Sequence, residues 1–117
     1  MTYFTAIATD LDGTLTRDGR LDASALTALD DARPDVATIL VTGRMRVEAL
    51  AEFPGLEERF DATVYENGAV LRVGGAPITR PHQVHRALAR ALADWGVHVR
   101  SGEAILACSV AEANRVA

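Results

Sequence analysis

The chain has 117 residues, a net charge of −4 and a globular balance of 49% hydrophobic and 24% charged residues. That length suits one domain and is marginal for two; no apolar run is long enough to span a bilayer, and the lack of a cationic cluster argues against nucleic acid or an anionic membrane as partner. The single cysteine, Cys108, rules out an intrachain disulfide, and the N-terminus lacks the basic start and long apolar core of a signal peptide, which makes the cytoplasm the default compartment.

In chain order, Phe4 to Thr9 is a short apolar run and predicts a buried strand. It ends in Asp10-Leu11-Asp12-Gly13-Thr14-Leu15-Thr16. A polar turn around Gly19 follows. Asp22 then caps a helix on which Ala25, Leu26, Leu29 and Ala32 recur at helical spacing, closed by Pro34. Val36 to Thr42 is near-continuously apolar and β-branched, which suits a parallel strand covered on both faces. Strand, helix and strand in this length form a βαβ unit. A second helix carries Val47, Leu50 and Ala51 on one face and breaks at Pro54-Gly55. Phe60 to Tyr65 predicts a third strand, and Val70 to Val73 with Ala76 to Thr79 a hairpin across Gly74-Gly75.

Composition shifts at Pro81. Beyond it, His85 to Trp95 predicts a helix with Leu88, Leu92 and Trp95 on one stripe, ended by Gly96. Short strands follow at Val97 to Val99 and Ala104 to Ser109, then the start of a helix at Val110 to Val116. Cys108 sits in an apolar stretch and is a core residue by that context. His82, His85 and His98 lack the i, i+4 spacing of a zinc motif and read as surface or packed histidines. Trp95 reads as core, and Glu57-Glu58-Arg59 as a solvated face.

The chemistry concentrates at strand ends. In an extended segment residues i and i+2 point to the same side, so Asp10 and Asp12 are placed to face one reacting group. One carboxylate can attack as a nucleophile while the other gives and takes the proton. Two carboxylates so close repel each other, and an oxygen-rich site with phosphate suits Mg²⁺. Gly13 permits the tight turn after the strand. Thr42-Gly43-Arg44 ends the second strand on the same sheet edge. Its hydroxyl and free backbone N–H groups can hold a phosphate oxygen, and the planar fork of Arg44 suits a substrate anion. Glu66-Asn67-Gly68-Ala69 follows the third strand; Asn-Gly is also an ordinary turn pair.

Asp10-Leu11-Asp12-Gly13-Thr14-Leu15 resembles the first motif of the haloacid dehalogenase superfamily, most of whose members are Mg²⁺-dependent phosphatases with an aspartyl-phosphate intermediate. The resemblance implies a Rossmann-like α/β core, Asp10 as nucleophile, Asp12 as general acid/base, and a metal held by Asp10 and Asp12. Aspartate at position 12 points to phosphatases or phosphomutases, since the superfamily's P-type ATPases carry threonine there and its dehalogenases lack the second aspartate. Thr42-Gly43 resembles the second motif, which implies phosphate binding. Glu66-Asn67-Gly68-Ala69 is similar to a string in the subclass with a large α/β cap (class IIB), among them sugar-phosphate phosphatases, phosphoglycolate phosphatases and phosphomannomutases. That places Asn67 near the catalytic face and implies a small phosphorylated metabolite as partner.

The family's later motifs, a lysine and an acidic pair, are missing: all twelve basic residues are arginine. Residues 1–80 therefore read as the N-terminal half of the catalytic core and 81–117 as the beginning of an α+β cap, with the later motifs expected beyond residue 117. A core without its later strands exposes a sheet edge and predicts poor stability alone. A phosphomutase and a non-catalytic phosphate-binding module remain open as alternatives to the phosphatase; oligomeric state and substrate are not specified by the residues.

Overall fold

The computed structural model describes residues 4–78, 86–112 and 114. His82, His85 and the sequence boundary at Pro81 lie outside the described residues. Among the described residues, these strands and α-helices follow one another: β1 (Ala6–Thr9), β2 (Thr16–Arg17), β3 (Arg20–Leu21), α1 (Ala23–Ala32), β4 (Ala37–Val41), α2 (Arg46–Glu52), β5 (Ala62–Tyr65), β6 (Val70–Val73), β7 (Ala76–Pro77), α3 (Arg86–Asp94), β8 (Val99–Ser101) and β9 (Leu106–Cys108).

The main sheet runs β1-β4-β5-β6-β7. β1 pairs parallel with β4, and β4 parallel with β5. The last two strands turn back antiparallel. This is the α/β, Rossmann-like arrangement the sequence predicts. Two hairpins stand apart, β2–β3 and β8–β9. The first occupies the region read from sequence as a plain polar turn: Asp18 and Gly19 both take positive φ, which is the geometry a tight hairpin loop needs.

Local rules explain the helix ends. Asp22 accepts hydrogen bonds from the Ser24 and Ala25 amides at 2.9 and 3.3 Å, satisfying donors that the first turn of α1 leaves open. α1 ends at Ala32, before Pro34. The core collects Leu11, Leu15, Leu29, Leu40, Ala49, Phe53, Leu56, Phe60, Tyr65, Val70 and Ala104. It lies on one side of the sheet only. Along β4, Thr38 and Leu40 are buried while Ala37 and Val41 are exposed.

Burial corrects four expectations. β1 is an edge strand whose Ala6, Ile7 and Ala8 are exposed, not a buried strand, because it has a neighbour on one side alone. β4 is covered on one face rather than two, since the helices that contribute to the core do so on the same side. α2 turns Ala49 inward and leaves Val47 60% exposed; the stripe that packs is Met45, Ala49 and Phe53, spaced by four. Trp95 is 57% exposed rather than core, while Leu92 carries the burial of α3. Near the end, Val110–Glu112 form a 3₁₀ turn and Asn114 is helical, the rest of the predicted helix lying outside the described residues, and Cys108 is half-buried.

Asp61 ties the sheet's lower end together. Its carboxylate accepts from the Thr38 amide at 2.8 Å and faces Arg33 at 3.2 Å. The Thr38 amide first, then Arg33, hold this carboxyl below its ordinary 3.8. A depressed folded value contributes stability above pH 3.8 that is lost as pH falls through the folded value. Asp61→Asn is therefore expected to lower stability at neutral pH and to flatten its acid dependence; urea midpoints measured from neutral pH downward check this.

One-sided burial makes a second expectation. Leu40 is fully buried and Val41 is 42% exposed. Leu40→Ala should lower unfolding free energy by about 2–5 kcal/mol, whereas Val41→Ala, one residue along, should stay within about 0.5 kcal/mol. Equal losses in urea titrations would contradict the one-faced core.

Candidate active site

The carboxylate segment begins where β1 stops. β1 ends at Thr9, and residues 11–15 form a bend and turn rather than extended chain. The Leu11 carbonyl accepts from the amides of Thr14, Leu15 and Thr16 at 3.3, 3.0 and 3.1 Å. Gly13 sits at φ +76°, a region open to glycine at little steric cost. Leu11 is fully buried between two exposed aspartates. The alternation that sequence spacing assigns to a strand thus survives in a turn.

Asp10 Oδ1 accepts from the Leu11 amide at 2.8 Å. This fixes the carboxylate against its own backbone and leaves Oδ2 for other work. Asp12 is engaged differently. Arg44 grips it with a two-pronged contact, Nε to Oδ2 at 2.8 Å and Nη2 to Oδ1 at 2.7 Å. The same guanidinium reaches Glu52 through Nη1 and lies 5.5 Å over the Phe53 ring. The two carboxylates, Asp12 before Glu52, raise the Arg44 pKa beyond its already high ordinary value. Arg44 is thus a charge partner of Asp12.

Thr42 is buried, and its hydroxyl accepts from the Arg44 amide at 3.1 Å. Its own amide donates to the Val64 carbonyl at 2.9 Å. At Gly43 proximity rather than backbone angle matters: a β-carbon there would stand 2.7 Å from Asn67 Oδ1, the far end of a side chain that can swing aside. Asn67 and Glu66 both take positive φ, 57° and 54°. Asparagine tolerates that region, but glutamate there is strained by about 1–2 kcal/mol.

These pieces share one opening. Ala8, Thr9, Asp10, Val41, Thr42, Gly43 and Asn67 line a cleft of about 440 Å³ at the ends of β1 and β4. The structure therefore brings Asp10, Thr42, Gly43 and Asn67 to one cleft, whereas Asp12 and Arg44 do not line it and Asp12 is held on the Arg44 fork. In open α/β sheets, ligands bind at this carboxyl edge.

Sequence reasoning missed two features here. Glu66, quoted only as part of a turn string, is 1% exposed and accepts from three backbone amides, those of Glu103, Ala104 and Ile105, at 2.8, 2.7 and 3.1 Å. Glu57 is no solvated residue: it forms a two-pronged pair with Arg46 at 2.6 and 3.1 Å and lies 3.6 Å from Arg72. The only signal for the first was a glutamate directly before Asn-Gly.

A family model of haloacid dehalogenase-like hydrolases matches residues 7–104. The chain belongs to that family. Among solved structures, it is similar to a hypothetical protein from Geobacillus kaustophilus, with 20% identity, TM-score 0.69, and 92% of this chain matched to 43% of that one. It is also similar to BT4131, a subclass IIB sugar phosphatase of the haloacid dehalogenase superfamily, with 25% identity, TM-score 0.61, and 87% of this chain matched to 42% of that one. A third similarity is to a haloacid dehalogenase-like hydrolase from B. subtilis, with 24% identity, TM-score 0.58, and 79% of this chain matched to 33% of that one. The chain thus spans less than half the length of each of these structures. No curated protein matches it. Among the described residues, no helix is long and apolar enough to cross a membrane.

The close approach at Gly43 yields an expectation for the site. Gly43→Ala should push the Asn67 side chain out of the cleft. The Asn67 side-chain amide resonances in ¹H–¹⁵N NMR should then move; unchanged resonances would mean that the two residues do not constrain each other.

Proposed function

We propose that this chain carries the nucleophile-bearing part of a Mg²⁺-dependent phosphate monoester hydrolase acting on a small phosphorylated metabolite, a sugar phosphate or a phosphoglycolate-like compound, in the cytoplasm. In this reading residues 1–80 are the N-terminal half of the catalytic core and 81–117 the beginning of the cap. The observation that carries it is the convergence of the Asp10 carboxylate with Thr42, Gly43 and Asn67 on one cleft at the sheet's carboxyl edge. Membership of the hydrolase family and the likeness to a sugar phosphatase support it.

In this reading each residue has a role. Asp10 Oδ2 attacks phosphorus, forming a P–O bond as the bond to the leaving oxygen breaks. Asp12 gives its proton to that oxygen. Asp12 then takes a proton from water as the water oxygen attacks the aspartyl-phosphate, which releases inorganic phosphate and restores the Asp10 carboxylate. The Thr42 hydroxyl and the Gly43 amide hold the transferred phosphoryl group. Arg44 engages both Asp12 oxygens, so proton transfer requires one prong of the fork to let go. A phosphate oxygen entering beside Gly43 offers Arg44 the alternative acceptor.

The donor set suits the metal. Mg²⁺ is typically bound through one or two carboxylates plus substrate phosphate and keeps several waters. The Asp10 carboxylate and the Asp12 backbone carbonyl supply oxygens of that kind. Among the described residues, no group of three His, Cys, Asp or Glu side chains could hold a metal, so these two and the phosphate would share the task with water. Bound there, the cation would offset the charge between carboxylate and phosphate.

The test uses the catalytic unit containing this chain, given Mg²⁺ and a panel of hexose phosphates. Asp12→Asn should slow phosphate release by about 10²–10⁴-fold. Asp10→Asn should abolish both release and an acid-stable, base-labile phosphoenzyme. Full activity in Asp10→Asn would remove the mechanism. Isomerised sugar phosphate in place of inorganic phosphate would make the protein a mutase, and phosphate binding without turnover a binding module.

A further inference from the structure

Glu66 carries two obligations at once. Its backbone amide donates to the Arg44 carbonyl at 3.0 Å, in the loop that holds Gly43. Its side chain, buried, spends both oxygens on the amides of residues 103–105. Those amides belong to the turn between β8 and β9, which closes on itself through Gly102 N–H to the Ile105 carbonyl at 2.8 Å. Gly102 is shaped to the carboxylate: a β-carbon there would overlap Glu66 Oε1 and lie 2.7 Å from Cδ. Asn67, the residue after Glu66, has its Oδ1 2.7 Å from where a β-carbon on Gly43 would stand.

The backbone strain points the same way. Two consecutive non-glycine residues at positive φ persist only where surrounding contacts over-determine them. Here the left-handed pair sends the Glu66 side chain to the hairpin and sets the Asn67 side chain against the phosphate loop. Neither direction is free to change without the other.

We propose that Glu66 is a positioning residue that couples the β8–β9 hairpin to the Gly43–Asn67 wall of the cleft, so that docking of the hairpin sets the shape of the phosphate pocket. The proposal rests on the phosphate reading above for the ligand, though not for the coupling. A charge-assisted contact made by three amides is directional and strong enough to transmit such a constraint. Movement of the hairpin would then be felt at Gly43 through one residue.

Two variants disturb the contact from opposite sides. Glu66→Gln places an amide N–H₂ among backbone donors, and Gly102→Ala fills the space of the carboxylate. Either should shift the ¹H–¹⁵N resonances of Gly43 and Asn67 and weaken binding of inorganic phosphate with Mg²⁺ by about tenfold, the scale of a lost supporting contact. Asp22→Ala, which loosens the distant start of α1, should lower the urea midpoint and leave both readouts unchanged. If Gly102→Ala moves only resonances of residues 99–108, the coupling is overturned. If the wild-type chain binds no phosphate, the pocket reading fails, while the Gly43 and Asn67 resonances still decide the coupling. Hydrogen exchange on the wild type covers the case in which neither variant folds: slow Ala104 and Ile105 amides support the contact, and exchange as fast as in an exposed loop overturns it.

Discussion

Parallel pairing of β1 with β4 and of β4 with β5 is the constraint from which the site follows. Parallel neighbours run in one direction, so all three strands finish on one edge, and whatever residues come next are delivered there together. Thr9 pairs with Leu40 and Val41 with Val64. That register sets Asp10 one step from Val41 and Thr42, and brings the turn after β5 alongside Gly43. A slip of one residue would turn Leu40 outward and Val41 into the core. The burial of Leu40 and Thr38 against the exposure of Val41 therefore guards the site's alignment as well as the fold's stability.

Charge at this edge is managed with arginine alone. Asp12, Glu52 and the Arg44 guanidinium form one connected set, and a parallel set joins Glu57 with Arg46 and, more distantly, Arg72. The planar fork permits a grip on both oxygens of one carboxylate, which a lysine cannot make. The two sets meet at the start of α2: Arg44 stands just before it and Arg46 is its first residue. Glu57 keeps its carboxyl below the usual range despite burial, which opposes this, because Arg46 bonds to it directly. The start of α2, just after the turn that holds Gly43, is thereby tied to Asp12 and Glu52 through Arg44 and to Glu57 through Arg46.

The parts of the fold and site that are legible in the sequence are local ones. Asp22 as a cap, Pro34 as a stop, and the Asp-Leu-Asp-Gly and Thr-Gly strings at strand ends each depend on a few adjacent residues, and each lies where expected. What fails to show is burial that depends on remote partners. β1 has the composition of a buried strand and lies exposed at an edge. Trp95 and Val47 have apolar side chains on helical stripes, yet their helices turn other residues inward. Glu57 looks like one of a run of surface charges until β6 brings Arg72 close. Glu66 meets its amides 37 to 39 residues away, a distance at which no periodicity or spacing rule operates.

Glu66 shows how such remote contacts make locally unfavourable choices stable together. A glutamate at positive φ is strained, and a carboxylate removed from water is costly unless its oxygens are satisfied. Neither would persist separately. The left-handed backbone aims the carboxylate at the hairpin turn, where three amides satisfy it; the amides in turn are held by a turn whose glycine leaves room for the oxygens. The carboxylate's hydrogen bonds oppose the backbone strain, and the strained backbone makes those bonds reachable. The pair is also adjacent to Asn67, so the same balance that seats the hairpin fixes one wall of the cleft. Placing this strain beside the candidate phosphate site, rather than in the middle of a strand, confines its effects to the loops that chemistry there would use.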